Sequence, residues 1–177
     1  MSKLLRAPVV SEEDTVIYVP SPRVDLHELG ALRLALSDRA PHLAREAITE
    51  WLTAEHPARE IVTLAASELV TNAVRYSDVS SIGDDADAIT LELSQAPNYL
   101  RLAVTDPGSV CTTPTNIPPQ TANLYSEHGR GLAIVERLSR GRWGSHQKPP
   151  KGLRLVWCHL DRQPTPGQLE ELFSAPV

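Results

Sequence analysis

The sequence has little sulphur. It contains two cysteines, Cys111 and Cys158, and they match neither a Cys-x-x-Cys pair nor a secreted disulfide framework. We therefore expect two free thiols and a reducing compartment. This excludes a small domain held together by disulfides, so one buried core has to stabilise the 177 residues.

Long hydrophobic runs and basic blocks are also missing. Leu4 and Leu5 are followed at once by Arg6 and Pro8, which is too short for a signal sequence, and no apolar run could span a bilayer. The formal net charge of -5 argues against binding to nucleic acid or to an anionic membrane surface. We expect a cytoplasmic protein that recognises a small ligand or another protein.

The histidines show no spacing typical of a metal site. The six are scattered along the chain as His27, His42, His56, His128, His146 and His159. We therefore expect no histidine-based metal centre.

Apolar periodicity predicts alternating strands and helices. Ser37 and Asp38 have the chemistry of an N-cap and a first helical turn, and Gln95-Ala96-Pro97-Asn98 that of a hairpin turn. The predicted strands are 15–19, 31–36, 88–94, 99–105 and 153–160, and the predicted helices are 38–53, 58–76, 131–138 and a short one within 168–173.

One domain accounts for most of this pattern. We assign residues 1–27 to a flexible N-terminal arm, 28–162 to the domain and 163–177 to a C-terminal tail. The segment 108–128 is rich in Thr, Pro and Asn and has no regular pattern. A loop of that length inside a compact domain is typical of a functional lid or of disorder.

Three polar residues share one face of the second predicted helix. Glu68 and Asn72 are four positions apart, about 40° around the axis, and Arg75 lies further along the axis, within about 60° of both. On its own such a pair is typical of a solvated helix face. Here the pair borders the apolar stripe, where desolvation is costly unless a ligand or metal satisfies it. Glu68 could act as a general base, and the Asn72 carbonyl oxygen could bind Mg²⁺.

Two glycine motifs follow. Asp106-Pro107-Gly108 ends a strand and, taken alone, is an ordinary turn, but a carboxylate there could accept the amino group of adenine while Gly108 allows close approach. Gly129-Arg130-Gly131-Leu132 opens a helix, whose N-terminal amides attract phosphate. Each motif is weak alone. Their order within about 65 residues favours one nucleotide pocket.

With these motifs the chain resembles the GHKL superfamily of ATP-binding domains. The segments SELVTNAVRYS, LRLAVTDPG, HGRGLAIVERLSRGRWG and LRLVWCHL are similar to the motifs and last strand of RsbW-like anti-sigma-factor serine kinases common in actinobacteria. The resemblance covers about residues 30–160. It implies an α+β fold, a two-layer α/β sandwich in which helices cover one face of a mixed sheet.

The resemblance also assigns roles to individual residues. It implies that Glu68 is the general base, Asn72 the Mg²⁺ ligand and Asp106 the adenine anchor. Gly108, Gly129 and Gly131 would frame the ATP, with Leu132 completing the last motif. Arg75 and Arg130 are our own additions to this set as candidate phosphate-binding cations.

The implied function is ATP-dependent phosphorylation of a protein serine or threonine. Family members of this kind bind a sigma factor, phosphorylate a STAS-domain antagonist and commonly form homodimers.

A rival interpretation is a binding module that keeps the fold and sequesters a partner without phosphotransfer. Val110 and Leu155 favour it, because relatives carry Gly and Thr there, and so does the lack of basic residues from 108 to 128. A third, an ATPase clamp in which Glu68 activates water, ranks last because no transducer domain is evident.

Overall fold

The computed structural model describes residues 7–10, 16–19, 25–77, 88–108, 130–148 and 153–174. Within these residues the chain forms seven strands and four helices. The strands are β1 (Ala7–Val10), β2 (Val16–Val19), β3 (His27–Ala35), β4 (Ala88–Gln95), β5 (Tyr99–Asp106), β6 (Trp143–Lys148) and β7 (Leu153–Asp161). The helices are α1 (Ala40–Trp51), α2 (Arg59–Tyr76), α3 (Arg130–Ser139) and α4 (Pro166–Ser174).

Five strands form the main sheet in the order β3-β4-β5-β7-β6. Every neighbouring pair is antiparallel, so the expectation of a mixed sheet is wrong. The reason lies in β7. The crossover through α3 gives β6 the same direction as β5, but β7 inserts between them and runs against both.

One face of this sheet is apolar and covered by helices. Helix α1 contacts β3, α2 contacts β4, β5 and β7, and α3 contacts β6 and β7. The side chains that point to this face are buried and aliphatic or sulphur-containing: Leu91, Leu93, Leu100, Leu102, Val104, Val156, Cys158 and Leu160. The two-layer α+β sandwich is therefore confirmed. Cys158 is a free thiol whose pKa burial raises to about 12.

Helix α1 begins later than its sequence suggests. Ser37 is not the N-cap, because the cap residue is Arg39 and no side chain caps the helix. Instead the Ser37 carbonyl accepts the N–H of Ala40 in a turn. Pro41 stands in the first helical turn, where its missing N–H leaves no donor unsatisfied.

The end of α1 packs over a glycine of the edge strand. The indole of Trp51 lies where a side chain of Gly30 would stand, since a Cβ there would be 2.2 Å from the ring. Only a residue without a side chain allows this contact. It ties the first helix of the core to β3.

Strand β6 was not predicted. Its sequence, Trp-Gly-Ser-His-Gln-Lys, has no apolar alternation. Among the described strands it lies at the edge of the sheet, beside β7, where one side of a strand needs no apolar partner. Arg140 and Gly141 both have positive φ, 54° and 76°, and the Gly141 N–H bonds to the Glu136 carbonyl, which closes α3.

The ends of the chain carry two further elements. The predicted strand near residues 15–19 is confirmed as β2, and it pairs antiparallel with β1, which was not predicted. The short helix predicted within 168–173 is confirmed as α4, which packs Leu169 and Leu172 against the core. In the described part of the chain, no helix is both long and apolar enough to cross a membrane.

Candidate functional site

Helix α2 positions the first part of the site. Its inner face, with Ala65, Leu69 and Ala73, is buried against the sheet. Glu68 and Asn72 lie beside that stripe and are half-buried, whereas Arg75 is exposed. The packing of the apolar stripe therefore fixes where the carboxylate and the amide point.

Gly131, near the start of α3, lies against both of these side chains. A Cβ at residue 131 would stand 2.8 Å from Glu68 Oε2 and 3.3 Å from both Asn72 Oδ1 and Nδ2. The approach is possible only because residue 131 has no side chain. The two sequence motifs, some 60 residues apart, therefore meet at one place, and the amino end of α3 faces the carboxylate and the amide.

The Asn72 amide has unmet hydrogen-bonding capacity. Its Nδ2 atom is buried and has no hydrogen-bond partner among the described residues. A buried unpaired polar group costs about 1–3 kcal/mol. Such a cost is typical of a side chain that a ligand satisfies, and a free N–H donor at this position fits a hydrogen-bond acceptor such as a phosphate oxygen.

The environment of Glu68 makes its carboxylate more basic than that of an exposed glutamate. Burial raises the pKa of Glu68 above its ordinary value of 4.5, and the positive charge of Arg75 opposes this shift. Glu68 and Arg75 were predicted to share one face of the helix, and Arg75 is indeed close enough to affect the pKa of Glu68. A raised pKa brings a carboxylate closer to the range in which a general base works at neutral pH.

Asp106 forms the other part of the site, at the end of β5. Its side chain is 1% exposed. Oδ1 accepts the backbone N–H of Gly108 at 2.7 Å and the hydroxyl of Ser77 at 3.1 Å. Gly108 has a φ of 72°, a conformation that glycine adopts without strain. The Ser77 bond joins the end of α2 to the end of β5.

Arg154 completes the surroundings of Asp106. It lies directly opposite Asp106 in the β5–β7 pairing, and its Nε is 3.1 Å from Oδ2. Sequence reasoning missed both Arg154 and Ser77. Arg154 and Asp106 are 48 residues apart in sequence, and the pairing of β5 with β7 brings them together. No local sequence pattern could have indicated this contact.

The two parts of the site lie at different heights along α2. Ser77, which holds Asp106, is nine residues beyond Glu68, or about 13–14 Å along the helix axis. Asn72 lies between them. The site is therefore elongated, with a buried carboxylate at one end and the Glu68–Asn72–Gly131 group at the other.

Other predicted site residues are placed differently or lie outside the described residues. Leu132 packs its side chain against the core, so it anchors α3. Arg130 begins α3, but its side chain is not described, and Gly129 and the 109–128 segment with Val110 and Cys111 are outside the described ranges. Across the described ranges, no three His, Cys, Asp or Glu side chains cluster as a metal site.

Comparison with known families shows which family this domain belongs to. Residues 34–149 match the family described as the histidine kinase-like ATPase domain. The chain belongs to that family. It is thus a GHKL-type, ATP-binding kind of domain, and Glu68, Asn72, Asp106 and Gly131 all fall within the matched range. A search of curated proteins gave no match.

Proposed function

We propose that this histidine kinase-like ATPase domain is an ATP-dependent protein serine/threonine kinase of the anti-sigma-factor type. The observation that carries the proposal is the contact of Gly131 with both Glu68 and Asn72. It combines a base, an amide and the amino end of a helix at one point. Those are the groups that phosphoryl transfer needs for positioning and charge stabilisation.

The nucleotide would lie along α2. Its adenine would meet Asp106, and its phosphates would reach the Glu68–Asn72–Gly131 end. Asn72 Oδ1 would hold a Mg²⁺ ion, which in phosphoryl transfer neutralises charge on the phosphate oxygens. The buried, unpartnered Nδ2 of Asn72 supports a contact of the same amide with a phosphate oxygen, because Nδ2 is a hydrogen-bond donor.

Glu68 would act on the protein substrate. The hydroxyl oxygen of a serine or threonine attacks the γ-phosphorus, the bond to the β-γ bridging oxygen breaks, and ADP leaves with that electron pair. The hydroxyl proton passes to the Glu68 carboxylate. The raised pKa of Glu68 supports this role, because a more basic carboxylate accepts the proton more readily.

The proposed partners are a sigma factor and a STAS-domain antagonist. The sigma factor would be bound and held inactive, and the antagonist would carry the accepting serine or threonine. The support for these partners is the resemblance of the chain's motifs to anti-sigma-factor kinases. A homodimer and a cytoplasmic location belong to the same proposal.

One observation favours a second candidate function, a binding module without phosphotransfer. Oδ2 of Asp106 already accepts a hydrogen bond from Arg154. If the arginine kept a nucleotide out, the domain would retain its fold and bind partners only. The two candidates differ in whether phosphate reaches a protein.

Incubation with ATP labelled at the γ-phosphate and a STAS-domain protein from the same organism separates them. The kinase proposal predicts stable label on a serine or threonine, and no label with Glu68→Ala. Glu50→Ala, an exposed glutamate of α1, is the control and should label normally. Absence of label from a wild-type protein that binds ATP would favour the binding module.

A further inference from the structure

Asp106 and Arg154 form a buried ion pair at the end of the site where we place adenine. Their side chains are 1% and 15% exposed, and Nε of Arg154 lies 3.1 Å from Oδ2. A pair buried to this degree is a weak source of net stability, because desolvation offsets the attraction. Its position beside the proposed adenine pocket suggests a role in recognition.

Among the described residues, the hydrogen bonds to the Asp106 carboxylate leave one acceptor position open. Oδ1 receives two donors, from Gly108 and Ser77, and Oδ2 receives one, from Arg154. A carboxylate offers about four acceptor positions in all. Asp106 can therefore take one further N–H, on Oδ2, from a ligand.

Arg154 brings additional donors to the same place. A guanidinium has five N–H groups, and Nε uses one. Among the described residues, only Asp106 accepts from this side chain. The open acceptor position on Asp106 Oδ2 therefore lies next to the unused N–H donors on the terminal nitrogens of Arg154.

We infer that Arg154, together with Asp106, recognises the adenine ring of the nucleotide by hydrogen bonds. Adenine carries an amino group flanked by two ring nitrogens, N1 and N7. Oδ2 of Asp106 would accept one amino N–H, and a terminal nitrogen of Arg154 would donate to N1 or N7. This role rests on the proposed nucleotide site and adds a specificity-determining residue to it.

This role of Arg154 adds a contact outside the matched family range. Arg154 lies beyond the residues 34–149 that match the family, so the matched range does not include this contact.

Analogues of ATP test the inference in the intact protein. In 1-deaza-ATP and 7-deaza-ATP a C–H replaces N1 or N7. Wild-type protein should bind one of the two about tenfold or more weakly than ATP, as expected for one lost hydrogen bond to a charged donor. Arg154→Met should bind ATP more weakly and should no longer distinguish ATP from that analogue.

Arg142→Met is the matched control, since Arg142 pairs with Asp161 at the opposite end of β7. It should leave the discrimination unchanged. The wild-type comparison stands even if Arg154→Met does not fold. Equal binding of ATP and both deaza analogues by wild type would refute the role of Arg154, as would undiminished discrimination or tighter ATP binding in Arg154→Met. A wild-type protein that binds no adenine nucleotide would instead refute the proposed function itself.

Discussion

The backbone of Gly131 lies so close to the Glu68 carboxylate that no side chain on residue 131 would fit between them. A Cβ on residue 131 would stand 2.8 Å from Oε2 of Glu68, a distance that real Cβ atoms essentially never show. The amino end of α3 thus approaches α2 as closely as the backbone permits. This contact, together with Asn72, defines the end of the site where we place the phosphates.

The first prediction concerns Gly131→Ala. Alanine is the better helix former by about 1 kcal/mol, but its methyl group would displace the Glu68 carboxylate and the Asn72 amide. We expect the fold to survive, because the displaced atoms are side-chain ends, and we expect phosphotransfer to fall by on the order of a hundredfold. Transfer assays and thermal unfolding measure the two effects separately.

Gly167→Ala is its control. Gly167 lies in α4, and a Cβ there would meet nothing within 4 Å. This variant should gain stability from helix propensity and keep full transfer. Normal transfer by Gly131→Ala would show that the contact has no part in function.

The second prediction concerns the pH dependence of stability. Burial raises the folded-state pKa of Glu68 above 4.5, so the folded protein binds more protons than the unfolded chain between those two values. The free energy of unfolding should therefore lose a contribution as pH rises through this window. Glu68→Gln has no such titration. Its stability relative to wild type should rise from pH 4.5 to the raised pKa and stay constant above it.

Urea unfolding of both proteins at a series of pH values gives this difference directly. Glu50→Gln, at an exposed position of α1, measures the effect of the same substitution outside the site. A relative stability of Glu68→Gln that fell with rising pH would mean that the folded state favours the charged carboxylate. The assignment of Glu68 as a desolvated base would then be wrong.

The third prediction compares two ion pairs. Asp106 is 1% exposed and accepts from three donors, whereas Asp161 is 30% exposed in its pair with Arg142. Asp106→Asn removes a buried charge partner and should cost about 3–5 kcal/mol in the free energy of unfolding. Asp161→Asn should cost less than about 1 kcal/mol. Equal losses would contradict the burial of the Asp106–Arg154 pair.

The fourth prediction tests the packing of α1 on the sheet. Gly30→Ala would place a methyl group 2.2 Å from the Trp51 indole, and the ring has to move. We expect a loss of about 1–3 kcal/mol in urea unfolding. Gly144→Ala is the comparison, because its Cβ would be 3.0 Å from the Trp157 ring and should cost less. A larger loss for Gly144→Ala would contradict the packing described.

The sequence predicted those parts of the fold that local patterns determine. The alternation in β4 and β5 with the turn at Gln95–Asn98, and the apolar stripe of α2, were found as expected. The stripe does not extend to the last residue of α2, since Tyr76 is 40% exposed.

The site was predicted only where its residues belong to local motifs. Glu68, Asn72, Asp106 and Gly131 each stand in a recognisable segment, and the structure brings Gly131 to the first two. Ser77 and Arg154 also lie in the quoted segments, but nothing local indicates that they contact Asp106, because they reach it through the end of a helix and the pairing of distant strands. Long-range strand order, including the insertion of β7, decides contacts that periodicity cannot encode.

Calorimetric titration with Mg·ATP tests the central claim most directly, namely that Asp106 and the Glu68–Asn72–Gly131 group serve one nucleotide. Wild-type protein should show saturable binding with a Kd of about 1 mM or tighter. Asp106→Asn and Gly131→Ala, from opposite ends of the site, should each weaken it by about tenfold or more. No saturable binding by the wild type, or binding that neither substitution changes, would contradict the account.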